Sequence, residues 1–430
     1  MARPKDLAMR RRSWRTWAGV LAALALQVAV WWFVVHYFKT RRIWYGFYDC
    51  SDIGLYENYA QRFAQGLLPY RGVAFEYPPL AVLLMTLPAW FSDWVDYQTA
   101  FAAEMIVLYT VAAALACAAV ARRSNGFARP VATAVASAVL TLFAGPIIAN
   151  RFDAAVALDI AFFVYCMSRR AWRLAGACLG LGFALKLTPA LLLPLIFVVA
   201  PRLRQAAAAG VAFLVAAGAV VVPHLLRSGT AILFVLRYHG DRPLQIESLY
   251  STPLLLRHAL AHGLVTIGNS YGSQSVIAPG AGVLARASVW VMGVCLLGFY
   301  VLLWSRRGRL RQSLSEVVLA AMGLLLIFVC TSKVFSPQFM IWLLPLAALL
   351  ATSRRVAGRV ASCLVAAATL LSQLDFPSRY WDLVALHTGP IVLVSIRNLI
   401  LLTGAIFVLV LFARRSDAPS NGTVPEVTKT

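Results

Sequence analysis

Three stretches of the chain bring carboxylates, cations and aromatic rings within a few residues of one another. The first holds Asp49 and Asp52, then Tyr56, Tyr59, Arg62 and Phe63, and closes on Phe75-Glu76-Tyr77-Pro78-Pro79. A helix from Asp49 to Ala64 would set Asp49, Asp52, Tyr56, Tyr59 and Phe63 on one face, an acidic and aromatic stripe along the membrane surface. A carboxylate placed there can serve as general base for a sugar or lipid hydroxyl. The plainer role of a lone Asp is a helix N-cap or a solvated loop acid.

The second stretch is Asn150-Arg151-Phe152-Asp153, a tight turn between two apolar runs, where Arg151 can pair with Asp153 or hold a lipid phosphate. Asp159, two turns deeper, needs a partner or a cavity. In the third stretch, Arg237 to Ser248, Arg242 can grip a phosphate or pair with Glu247, and His239 can hydrogen-bond a leaving phosphate, although a lone His is more often structural. Two further cations stand at apolar turns broken by proline: Lys186 before Pro189, and Lys333 before Pro337-Gln338. Both suit anion binding at headgroup depth, against the simpler alternative of snorkelling. No HExxH, P-loop, GxGxxG or nucleophile-elbow pattern accompanies them, which argues against zinc hydrolysis, cytoplasmic ATP use and serine acyl transfer.

The elements that position these residues are membrane helices. The chain is 61% hydrophobic and 13% charged, far more apolar than a soluble core requires. About twelve crossings are expected, near 17–38, 98–121, 130–149, 153–168, 172–186, 188–200, 204–226, 283–304, 315–331, 336–351, 357–374 and 389–412. The fold class is thus all-α, a polytopic bundle with amphipathic helices in the first outer loop. With both termini cytoplasmic, every inside segment is basic, from Arg10–Arg12 through Arg122, Arg306–Arg311 and Arg354-Arg355 to Arg414-Arg415. That assignment requires 78–91, a short apolar segment opening on Pro78-Pro79, to be re-entrant or interfacial.

Acids follow the opposite pattern. Asp49, Asp52, Glu76, Asp153, Glu247 and Asp375 all fall outside, which places the chemistry on the outer face. The net charge of +22 lies in short clusters between apolar runs, so topology explains it and a nucleic-acid partner does not. Six of the seven cysteines lie in apolar runs and none forms a CxxC pair, so neither a disulfide framework nor a thiolate metal site is expected. One membrane domain over 1–415, with long outer loops at about 39–97 and 227–282 and a disordered cytoplasmic tail at 416–430, completes the expected organisation.

Taken in order, Asp52-xxx-Tyr56, Gly66-xx-Pro69-Tyr70, Tyr77-Pro-Pro-Leu80, Asn150-Arg-Phe-Asp153, Gly180-Leu-Gly-xxx-Lys186-Leu-Thr-Pro189 and Ser332-Lys-Val-Phe-Ser-Pro-Gln338 with Trp342 and Pro345 resemble glycosyltransferase family 87. The resemblance implies a GT-C-class enzyme of the bacterial plasma membrane. Such an enzyme moves a hexose, mannose first among the candidates, from a polyprenyl-phosphate donor to a lipid or glycan acceptor on the outer leaflet, with inversion and without metal or cofactor. It also implies a base carboxylate in the first outer loop, which maps onto Asp52, with Asp49 as the alternative three residues earlier. Lys186, Lys333, Arg151, Arg242 and His239 are then candidates for the donor phosphate, and Tyr56, Tyr59, Glu76, Tyr77, Asp153, Glu247 and Gln338 for the sugars. Two rival classes fit the same composition: a transporter or flippase of lipid-linked sugars, which would want charges reachable from both faces, and a non-catalytic assembly partner, which would tolerate alanine at Asp49, Asp52, Lys186 and Lys333.

Overall fold

A computed structural model describes residues 4–41, 52–122, 124 and 126–414. Each of the twelve apolar stretches forms a helix, and among the described residues eight helices are long and apolar enough to cross a membrane. The shorter ones include Asp153–Arg169, Trp172–Leu185 and Met340–Ala351. Asp49 and the 416–430 tail lie outside the described residues.

Many helix surfaces are apolar on the outside as well as inside. Ala281–Ser305 exposes Trp290, Val294 and Leu297, which in water would cost the hydrophobic free energy of their whole area and in lipid costs nothing comparable. Inward packing then depends on small residues rather than on apolar character alone. Gly176 and Gly180 of Trp172–Leu185 lie so close to the carbonyls of Ala209 and Phe213 in Leu203–Ser228 that a Cβ on either would overlap them.

Two helices end at breaks that a proline-led turn follows. Trp172–Leu185 ends in extended backbone at Lys186, with φ −157° and ψ 135°, and a 3-10 turn follows over Thr188–Leu192. Leu314–Thr331 likewise ends in extended backbone at Ser332, and chain direction resumes in the turn Pro337–Phe339. In both places proline stands at the start of the new turn, where its missing N–H breaks no helical hydrogen bond, and the lysine lies in the break just before it. Both breaks lie at the end of the bundle that carries the long loops.

The apolar segment after Pro78-Pro79 forms only Ala81–Thr86 and the 3-10 turn Leu87–Phe91, about 19 Å of rise at most, which is too short for ~30 Å of hydrocarbon. It stays at the loop end. Leu80 N–H donates to Ala184 O at 2.8 Å beside Lys186, and Tyr97 OH, at the head of Tyr97–Ala121, donates to Met85 O at 2.7 Å. Trp90 and Trp94 are exposed, as interfacial anchors would be.

Two expectations change. The first-loop helix spans Ile53–Ala64 with Asp52 as its N-cap, and its aromatic stripe is packed inward: Tyr56 and Tyr59 are buried against Phe75, Tyr77, Phe101 and Phe152 rather than spread on the membrane surface. The second loop also carries a β-hairpin within the otherwise helical fold, Thr266–Ser270 paired antiparallel with Ser273–Ile277. Its two-residue turn, Tyr271-Gly272, has positive φ at both positions, the geometry whose twist suits a hairpin. Ile246 N–H and Val276 N–H connect this hairpin to the segment Leu244–Glu247, so the loop folds as a unit over the helix ends.

Candidate active site

Five helix ends and two loops meet where the prolines break the chain. Asp52, ahead of Ile53–Ala64, faces Arg151 Nε at 3.3 Å and receives Tyr56 OH at 3.4 Å. Arg151 itself is buried, with its guanidinium 5.8 Å from the Phe376 ring. Asp153, in the first turn of Asp153–Arg169, is fully buried; its Oδ1 accepts from Lys186 Nζ and from Trp342 Nε1, each at 2.6 Å. The lysine ammonium is boxed by three rings, with centroids 4.9 Å away for Phe152, 5.3 Å for Phe339 and 4.9 Å for Trp342. Cation–π attraction and an ion pair together hold a charge that burial would otherwise expel. Asp52 and Arg151 both lie within Coulombic reach of Lys186, so first-loop acid and mid-chain lysine share one cluster.

Within the Asn150–Asp153 turn Arg151 Nη1 donates to Asn150 O at 3.3 Å, while the ion pairs lead out of it, from Arg151 to Asp52 and from Asp153 to Lys186. Nor does Arg242 reach Glu247. It donates to Ser273 Oγ of the hairpin at 2.9 Å, while Glu247 takes a partner that sequence reasoning missed, Arg397, at 2.9 Å. Arg397 and Asn398 lie within the last long helix, Thr388–Ala413; Arg397 also donates to Glu247 O at 2.8 Å, and Asn398 Nδ2 to Thr252 Oγ1 at 2.9 Å. A charged residue ten positions into an apolar run was the available signal. Asp159, deeper in its helix, receives Cys178 Sγ at 3.0 Å.

The remaining candidates ring the cluster. Glu76 accepts from Tyr59 OH, and burial pushes its carboxyl above the usual range against that hydrogen bond. Tyr77 stacks its edge on Phe152 at 5.0 Å. His239 lies within Coulombic reach of Lys186, Arg242 and Lys333. Lys333 Nζ donates to Gly240 O at 2.5 Å, and burial lowers its pKa although Asp241 works against the shift. Gln338 is half-buried in the turn after it. Among the described residues no group of three or more His, Cys, Asp or Glu side chains is placed to hold a metal ion.

Exposure separates the acids. Asp52 has 34% of its side chain open, against 0% for Asp153 and 8% for the Glu76 residue. It is therefore the most open of these three acids.

The model of glycosyltransferase family 87 matches residues 75–332, more than half of the chain. The chain belongs to that family. This family 87 glycosyltransferase carries Arg151, Asp153 and Lys186 inside the matched span, with Asp52 ahead of it and Lys333 next after it. A solved structure, ArnT from Cupriavidus metallidurans bound to undecaprenyl phosphate, is similar at 14% identity and a TM-score of 0.47, covering 91% of this chain and 76% of that one. A comparison with curated proteins gives no match. Family membership and the many apolar helices make the chain a multi-pass membrane glycosyltransferase, which sets aside the assembly-partner reading.

Proposed function

We propose that this glycosyltransferase moves a hexose, with mannose the first candidate, from a polyprenyl-phosphate donor to a glycolipid or glycan acceptor at the extracytoplasmic face of the plasma membrane. The reading rests above all on the Asp52–Arg151 pair standing beside the Lys186–Asp153–Trp342 cluster at the loop end of the bundle. Asp52 takes the proton of the acceptor hydroxyl, whose oxygen attacks the anomeric carbon. The bond from that carbon to the donor phosphate oxygen breaks, its electron pair stays on the phosphate, and one displacement inverts the centre. Arg151 holds Asp52 in place, and Lys186, with Arg242, His239 and Lys333 on the second-loop side, faces the oxygens on which charge accumulates; preorganised cations lower the barrier there. The aromatic walls Tyr56, Tyr59 and Tyr77, with Glu76 and Gln338, offer stacking and hydrogen bonding to sugar rings.

Purified chain reconstituted in vesicles with radiolabelled polyprenyl-phosphate mannose and a glycolipid acceptor is expected to transfer label to the acceptor, with the stereochemistry at the anomeric carbon inverted. Movement of intact donor across the bilayer without transfer would favour the flippase reading instead.

A further inference from the structure

At the end of the bundle opposite the candidate site, a cavity of about 440 Å³ opens among Arg129, Arg354, Arg355, Ser313 and Ser315, with Leu350 also in its lining. Its remoteness follows from the helices: Leu314–Thr331 begins at the cavity and ends just before Lys333, and Met340–Ala351 begins beside Trp342 and ends at the cavity. The site and the cavity are thus separated by about 27 Å of helix along Leu314–Thr331 and about 18 Å along Met340–Ala351.

Positive charge in this cavity is in excess. Glu316, buried at its edge, is shared by Arg309 at 2.6 Å and Arg355 at 2.5 Å. Arg129 and Arg354 have no acidic partner among the described residues, yet they lie near enough for each to feel the other's charge. Arg129 is held in place by its Nε–H bond to Thr352 O at 2.9 Å, which leaves its terminal amino groups to face the cavity. Two long helices, Leu314–Thr331 and Val356–Asp375, also start here; Glu316 N–H and Gly358 N–H are taken by the carbonyls of Ser313 and Arg355, and the positive ends of both helix dipoles add to the charge. Like charges that converge in this way repel one another unless an anion lies between them.

We infer that this cavity binds a phosphate group, supplied by the headgroup of an anionic phospholipid. Its depth favours that source: it lies where apolar helices end, Val318, Leu349 and Leu350 share its lining with the arginines, and its volume admits a headgroup while the acyl chains stay among the exposed helix faces. The shared chemistry with a free phosphate is the anion itself, and the test separates the two.

The measurement is binding of phosphatidylglycerol to the purified full chain by native mass spectrometry, with phosphatidylcholine and inorganic pyrophosphate as the other probes. Arg354→Gln removes an exposed side chain whose loss breaks no ion pair among the described residues, and it is expected to weaken phosphatidylglycerol binding about tenfold, the loss of one charge-assisted contact. Arg122→Gln, an exposed arginine at the same end that does not line the cavity, is expected to leave binding unchanged. Pyrophosphate that binds the chain and displaces the lipid in an Arg354-dependent way assigns the anion site but to a soluble source. Equal binding by the unaltered chain and Arg354→Gln, equal losses for Arg354→Gln and Arg122→Gln, or equal retention of phosphatidylcholine would overturn the inference.

Discussion

Asp52→Asn is expected to lower kcat for sugar transfer by about 10²–10⁴-fold, the range that a positioned general base contributes, with a much smaller change in donor KM. The substitution keeps the size and planarity of the side chain and its hydrogen bond from Tyr56, so the local fold is preserved while the proton acceptor is lost. Arg151 is left with an amide instead of a carboxylate at 3.3 Å, but it remains fixed against Phe376. The assay is turnover of labelled donor in membranes or vesicles, read separately for kcat and KM. Unchanged turnover removes Asp52 as the base, and an equal loss in Asp49→Asn assigns the role to the two acids jointly.

Arg397→Met has its large effect on stability rather than on chemistry. Arg397 and Glu247 are both almost completely buried, and a buried ion pair that loses one member strands the other charge, at a cost of about 3–5 kcal/mol. Here the stranded charge has a like neighbour, since Asp375 has neither carboxylate oxygen hydrogen-bonded and lies within Coulombic reach of Glu247. Burial already raises the pKa of Glu247, with Arg397 holding it down. The pair also fastens the second loop to the last long helix through Glu247 O and Asn398, so the loss is expected to loosen the segment that carries His239, Arg242 and the hairpin. Thermal unfolding in detergent should show a large drop for Arg397→Met and substantial recovery in Arg397→Met with Glu247→Leu, because replacing both charges removes the desolvation penalty together with the bond. A single variant as stable as the parent would mean that water reaches this pair.

How far the sequence carried depended on the kind of signal. The membrane helices were legible because each had to be apolar over its whole length, and the breaks at Lys186 and Lys333 because proline marks them locally. The short segment after Pro78-Pro79 was legible for the same reason: its length alone excludes a crossing. Partners were not legible. Asp153 is 33 residues from Lys186 and 189 from Trp342, and nothing within either stretch specifies that they meet. Arg151 beside Asp153 in sequence suggested a local pair, yet Arg151 lies in the turn ahead of the helix that Asp153 begins, and the two residues take different partners. The aromatic stripe of the first loop had the right periodicity but the wrong destination: periodicity identifies a face, not the surface that the face meets. Arg397 was visible as a charge inside an apolar run, and its role became clear only once Glu247, 150 residues away, closed on it.

The donor phosphate is expected to sit among the cations at the loop end with Asp52 across from it. A cryo-EM map of the chain with polyprenyl phosphate bound decides this. Phosphate density is expected within hydrogen-bonding distance of at least one of Lys186, Arg242 and Lys333, with the Asp52 carboxylate facing the position of the anomeric carbon. Phosphate density confined to the arginine-lined cavity at the opposite end, or an Asp52 turned away from the bound lipid, would contradict it.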